Sequence, residues 1–226
     1  MFGIHVVGVA IVLLSLLVTV LTWAAVRRRA PALSTRFVVG AAAWWALSGA
    51  LAGSGVLARF DARPPPVLLF FVGALVLAVL LGRSKTAAQL VDGEGIGVVI
   101  GVQAFRLPLE LAMHSAAIDG VMPAELSFSG WNFDIVTGVL AVVVALLWWR
   151  GVRSRALVWS FNVVGSAALL MIVAIALLTS PMVAFFGRER VLNTWVAEVP
   201  YVWLPAILVA FAVASHVALT LKLLRR

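Results

Sequence analysis

Cysteine is absent from the 226 residues. Disulfides, thiolate nucleophiles, iron–sulfur clusters and cysteine-held zinc are thereby excluded. Charge is scarce, at 12% of the chain, and lysine is scarcer still, with two residues against fifteen arginines. Both lysines, Lys85 and Lys222, stand at the ends of apolar runs. A retinal Schiff base needs a lysine in mid-helix, so no retinal is expected. No H-x-x-x-H or H-E-x-x-H pair, G-x-S-x-G elbow or P-loop occurs. Motif-borne zinc hydrolysis, serine hydrolysis and nucleotide hydrolysis are therefore not indicated.

What the chain has in excess is apolar surface. Hydrophobic residues make up 64% of it, and mean hydropathy is +1.13. Soluble domains run near ~45–50% apolar and ~25% charged. A soluble fold of this size has too little interior to hide so much apolar surface, so the composition specifies an integral membrane protein. The arginine bias, with abundant Ala and Val, reads as GC-rich bacterial coding, which makes the expected location a bacterial inner (cytoplasmic) membrane.

Runs long enough to cross hydrocarbon, about 20 apolar residues, predict an all-α bundle of seven transmembrane helices in a single membrane domain. The predicted spans are 2–26, 37–57, 67–81, 95–118, 133–149, 157–179 and 201–221. The first has no preceding positive charge and no A-x-A site, so it reads as a retained helix, not a cleaved signal. The net charge of +8 is placed by topology. With the N-terminus outside and the C-terminus cytoplasmic, twelve basic residues fall in inner segments and four in outer ones, as the positive-inside rule requires. The bilayer is the expected partner, and nucleic acid is not. Trp23, Trp148, Trp149 and Trp159 at inner boundaries, and Trp131, Trp195, Tyr201 and Trp203 at outer ones, read as aromatic belts. The long connection 180–200 lies on the membrane surface or covers the outer mouth of the bundle. Gly49 and Gly53 form a GxxxG in span two, suited to close packing within the bundle or to a homodimer face.

Intramembrane charge is costly and points to function. Span four carries it. At about 100° per residue, Glu110 lies about 40° from Arg106, Gln103 about 60° and His114 about 80°. The four form one polar stripe, which must face protein or water. Pro108 lies between Arg106 and Glu110. It removes a helical hydrogen bond and clashes one turn back, at Ala104. Arg106 and Glu110 either brace the bundle by pairing with each other or line a cavity. Asn132 and Asp134 open span five, as cap and first-turn acid or as part of an outer-half acidic pocket with Glu110 and His114. A second polar layer, His216 and Asn162 with Thr220 nearby, lies toward the inner face and predicts an interhelical hydrogen bond. His5, His114, Glu110 and Asp134 are the candidate metal ligands.

The pieces Phe105-Arg-Leu-Pro-Leu-Glu110, Gly130-Trp-Asn-Phe-Asp-Ile135, Pro200-Tyr-Val-Trp-Leu-Pro205 and His216 resemble a family of small uncharacterised bacterial polytopic integral membrane proteins. The resemblance implies a multi-pass membrane protein and no activity. Three roles fit the residues. The first is transport or sensing of a small solute or proton, with Glu110 titrating and Arg106 tuning it. The second is an intramembrane enzyme acting on a lipid or isoprenoid through Glu110, His114 and Asp134, with or without a metal. The third is a structural subunit of a membrane complex.

Overall fold

The computed structural model describes residues 2–225, with side chains from Val6 onward. No strand occurs among the described residues. The helices are α1 (Phe2–Arg29), α2 (Ser34–Gly53), α3 (Pro66–Gly82), α4 (Lys85–Leu90), α5 (Gly95–Val102), α6 (Arg106–Ile118), α7 (Asp134–Trp149), α8 (Arg155–Leu178) and α9 (Ala210–Leu224). Their starts follow local chemistry. Ser84 Oγ accepts from the Ala87 amide and Ser154 Oγ from the Leu157 amide, each satisfying an orphan donor of a first turn. Pro66 opens α3, where a missing N–H costs nothing.

Four helical stretches are long and apolar enough to cross a membrane: Val6–Arg29, Gly95–Ile118, Arg155–Leu178 and Leu204–Leu224. At ~1.5 Å per residue, 21 to 24 residues reach past the ~30 Å of a hydrocarbon core. α3 and α7 are apolar but shorter. α4 lies between the predicted spans 67–81 and 95–118. Much of the outer surface is Leu and Val, with Leu13 and Leu80 about 60% exposed and Leu170 73%. A soluble monomer does not present so continuous an apolar surface to water.

Basic residues gather at one end of the bundle and fix how the helices run. Arg29 at the end of α1 donates to the Asp92 carbonyl (2.7 Å), and Lys222 near the end of α9 reaches the Asp92 carboxylate (2.6 Å). Arg153, before α8, pairs with Glu94 at the start of α5, and Arg155 donates to the Leu223 carbonyl. The ends of α1, α7 and α9 and the starts of α5 and α8 therefore share this end. At the opposite end Arg190 pairs with Glu125.

Two helices break where proline dictates. α5 and α6 are joined by a 3-10 turn, Gln103–Phe105. It brackets Ala104, one turn before Pro108, where the pyrrolidine ring clashes with a helical carbonyl. Pro205 lies in a π-helical segment, Leu204–Val209, that feeds α9. Apolar packing fills the rest: Ile11, Phe105 and Leu208 in one cluster, Ile100, Phe161 and Leu219 in a second. Gly97 lets α5 approach α7, since a Cβ there would stand 2.6 Å from Trp148 Cδ1.

The aromatic-belt reading is corrected at three residues. Trp148, Trp195 and Tyr201 are buried, because α5 covers the first and the 180–200 connection folds inward over the bundle with the others. Gly49 packs within the chain, where a Cβ would meet Trp203 Cζ2 at 3.4 Å, whereas Gly53 has open space.

Candidate functional site

Arg106 begins α6 just after the 3-10 turn, and its side chain is 1% exposed. Its five N–H donors need acceptors there. The Nε donates to Gln103 Oε1 (3.1 Å), Nη1 pairs with the Asp134 carboxylate, and Nη2 lies 3.3 Å from His216 Nε2. His216 Nδ1 is 3.0 Å from Asn162 Oδ1, and Asn162 Nδ2 donates to Thr220 Oγ1 at 2.7 Å. One buried set of hydrogen bonds thus joins α6, α7, α8 and α9. Since Nη2 always donates, His216 Nε2 accepts and Nδ1 carries the hydrogen, which Asn162 Oδ1 receives.

Glu110, also 1% exposed, is one turn along α6. Both of its oxygens accept from Asn132 Nδ2 at 2.9 Å. Asn132 Nδ2 also donates to the Leu126 carbonyl (3.0 Å), and its Oδ1 accepts from the Asp134 amide (2.9 Å). Asn132 therefore holds Glu110 with one end and the first turn of α7 with the other. Among the described residues no cation pairs with Glu110, because the nearby guanidinium is taken by Asp134. The sequence reading in which Arg106 and Glu110 pair with each other is therefore corrected: Arg106 pairs with Asp134 instead.

Three of the four stripe residues converge. Gln103 and Arg106 bond directly, and Glu110 joins them through Asn132 and Asp134. His114 does not join. Its Nδ1 sits 3.0 Å from Ser127 Oγ and 3.2 Å from Ser129 Oγ, with its ring against Phe128. The serines of the loop after α6 draw it away from the acidic residues. Among the described residues no three His, Asp or Glu side chains gather closely enough to share a metal ion. The His5 side chain lies outside the described residues.

Beside this network is a cavity of about 270 Å³. α3 lines it with Val67, Phe71 and Val72, α8 with Leu169, Ile172 and Ala176, and the 180–200 connection with Asn193 and Trp195. Arg106, Glu110 and Asp134 form part of its α6–α7 wall. The polar stripe borders a hollow, but the hollow is almost wholly apolar. The missed contributors are Asn193 and Trp195. The signal that pointed to them was a 21-residue connection too rich in aromatic residues to be idle in water.

No curated protein and no solved structure matches the chain. A family model does, over residues 64–225, a stretch that holds α3 to α9 and every residue of the network and cavity named above. The chain belongs to the family of that model, a domain of unknown function (DUF8737).

Proposed function

We propose that this protein is a seven-span membrane protein, N-terminus outside and basic end cytoplasmic, that couples a proton on Glu110 to the binding or passage of a small molecule in the cavity beside α6. The observation that carries this reading is the balance of charge on the cavity wall. Two carboxyl groups, Glu110 and Asp134, stand in a buried setting with one guanidinium, Arg106, and only Asp134 pairs with it. Low-dielectric surroundings penalise an uncompensated charge severely. One carboxylate is neutralised by the arginine. The other is neutral only with a proton or a ligand's charge, so occupancy and protonation at this wall are linked. From Arg106 the network continues through His216 and Asn162 to Thr220, toward the basic end.

The test is proton flux. Protein reconstituted in liposomes loaded with a pH dye is exposed to an imposed pH gradient, as wild type and as Glu110→Gln. Faster equilibration by the wild type than by empty liposomes, lost in the variant, supports the reading. Identical traces for wild type, variant and empty liposomes overturn it.

The apolar lining favours a second reading, an enzyme acting on a lipid or isoprenoid within the membrane. Glu110 and Asp134 would then be the acid–base pair, and turnover of a lipid by purified protein would identify it.

A further inference from the structure

Where α6 meets the start of α7, the cavity wall is short of both positive charge and hydrogen-bond donors. Glu110 and Asp134 line it beside the single guanidinium of Arg106. His216 accepts from that guanidinium, so its ring is neutral and adds no second cation. A carboxylate has room for about four hydrogen bonds. Glu110 receives one N–H of Asn132, shared between its two oxygens, because the other N–H of that amide goes to the Leu126 carbonyl. Asp134 Oδ1 takes Arg106 Nη1, and among the described residues nothing donates to Oδ2. Unlike Gln103 Nε2, this oxygen is unpartnered without being fully enclosed, and the Asp134 side chain keeps 8% of its surface accessible. Asp134 belongs to the cavity wall, so the cavity is the space that reaches it.

The rest of the wall is apolar, and the way in is from the side. α3 and α8 both pack on α9 and scarcely on each other. The cavity follows residues 67–75 of the first and 169–177 of the second, a length of about 12 Å. Val72 and Leu177 on its edge are half exposed, on the surface that faces lipid in the seven-span arrangement. Its volume of about 270 Å³ is below the ~300–1,000 Å³ of drug-sized pockets and suits one slim tail.

A head group that satisfies this wall supplies N–H donors and one positive charge. A primary ammonium does both, with three donors, no acceptor and a single charge. It answers Asp134 Oδ2 and balances the carboxylate that Arg106 leaves over. A hydroxyl brings a donor without charge, a quaternary ammonium brings charge without a donor, and a carboxylate adds negative charge to an acidic wall. Phosphatidylethanolamine carries its ammonium beside a phosphate and two tails, which neither the charge nor the volume suits. We infer that the cavity binds a single-tailed primary amine drawn from the bilayer, its ammonium at Asp134 and its tail between α3 and α8. This rests on the reading that the cavity is where the protein meets its ligand, and it gives that ligand a chemical class. The ammonium and a proton on Glu110 balance the same wall, so one displaces the other.

The test uses the full chain in phosphatidylcholine nanodiscs and three probes that share a diazirine-bearing decyl tail: a primary amine, an alcohol and a carboxylic acid. Adducts are mapped by peptide mass spectrometry. Labelling of α3 and α8 is taken as a ratio to that of α2, no residue of which lines the cavity, so unequal partition into the bilayer cancels. The amine ratio is expected to exceed the other two about tenfold, the discrimination of one charge-assisted hydrogen bond. Glu110→Gln keeps an acceptor for Asn132 and removes the surplus charge. It and Asp134→Asn are each expected to lower the amine ratio about tenfold. Glu110→Gln and the comparison among probes decide the matter whether or not Asp134→Asn folds. Excess unlabelled decylamine is expected to displace the amine probe, and lyso-phosphatidylethanolamine is not. Equal ratios for the three probes, an amine ratio indifferent to Glu110→Gln, or displacement by the lysophospholipid overturns the inference. Proton flux that depends on Glu110, found together with equal ratios, sinks the amine and spares the coupling. Amine labelling as expected, with flux identical in wild type and Glu110→Gln, does the reverse.

Discussion

Asp134, the first residue of α7, holds the guanidinium of Arg106, the first residue of α6. The carboxylate answers two positive ends at once, the arginine and the N-terminus of its own helix. Removing it strands a charge that is 1% exposed. Asp134→Ala is expected to cost about 3–5 kcal/mol, the usual consequence of breaking a buried pair. Replacing both partners, as Arg106→Met with Asp134→Leu, restores most of that stability because no charge is left unmatched. Chemical unfolding of the four proteins in one detergent checks the cycle. A loss in the double variant equal to the sum of the two single losses would show that the pair is not coupled.

Asn132 makes the contact on which Glu110 depends. Asn132→Ala removes the amide that both Glu110 oxygens share and the cap on the Asp134 amide. The expected loss is about 1–3 kcal/mol, the penalty for buried polar groups left unmet. Thermal melting followed by circular dichroism reads it. The same variant is expected to alter proton flux if the proposed coupling holds, because the carboxyl proposed to carry the proton is no longer held by Asn132.

Gly165 on α8 is the contact point for His216. A Cβ there would stand 2.4 Å from His216 Cε1 and 2.8 Å from Thr137 Cγ2. Gly165→Ala must push the imidazole away from Arg106 and Asn162, at about 1–3 kcal/mol for overpacking. Gly73 on α3 has nothing within 4 Å of the added methyl. Gly73→Ala is neutral or up to ~1 kcal/mol stabilising, from helix propensity alone. The ring nitrogen resonances of His216 separate the two, moving in the first variant and not in the second.

At the basic end, the hydrogen bond and charge of Lys222 hold the Asp92 carboxyl below its ordinary range. A carboxyl lowered in the folded state stabilises the fold above its unfolded value, and that contribution fades as pH falls through the lowered one. The Asp92–Lys222 contact is therefore intact at neutral pH and lost only in acid. Amide exchange of α4, just before Asp92, is expected to rise in Asp92→Asn at neutral pH. In the wild type it rises only below the usual carboxylate range. A wild-type rise near neutrality would contradict this.

Particular residues show what one-dimensional reading can and cannot reach. Pro108 announced the break at 103–105, because its steric clash is local and falls a fixed distance back. Gln103, Arg106 and Glu110 were legible as one face, because helical spacing is fixed. The partner of Arg106 was not, since both Glu110 and Asp134 carry the same charge and only packing chooses between them. His114 left the stripe because serines beyond the end of α6 outcompeted it, a contact set by a loop. Trp195 at a predicted boundary looked like an interfacial anchor. Its burial depends on the 180–200 connection folding inward, which no periodicity encodes.

The most direct measurement follows the Glu110 carboxyl itself. Infrared spectra of the reconstituted protein with isotope-labelled glutamate, differenced between two pH values, isolate its C=O band through the loss of that band in Glu110→Gln. The account predicts that the band changes as pH is stepped. A band that stays fixed as pH is stepped would contradict proton linkage at this wall and leave Glu110 as a structural hydrogen-bond acceptor for Asn132.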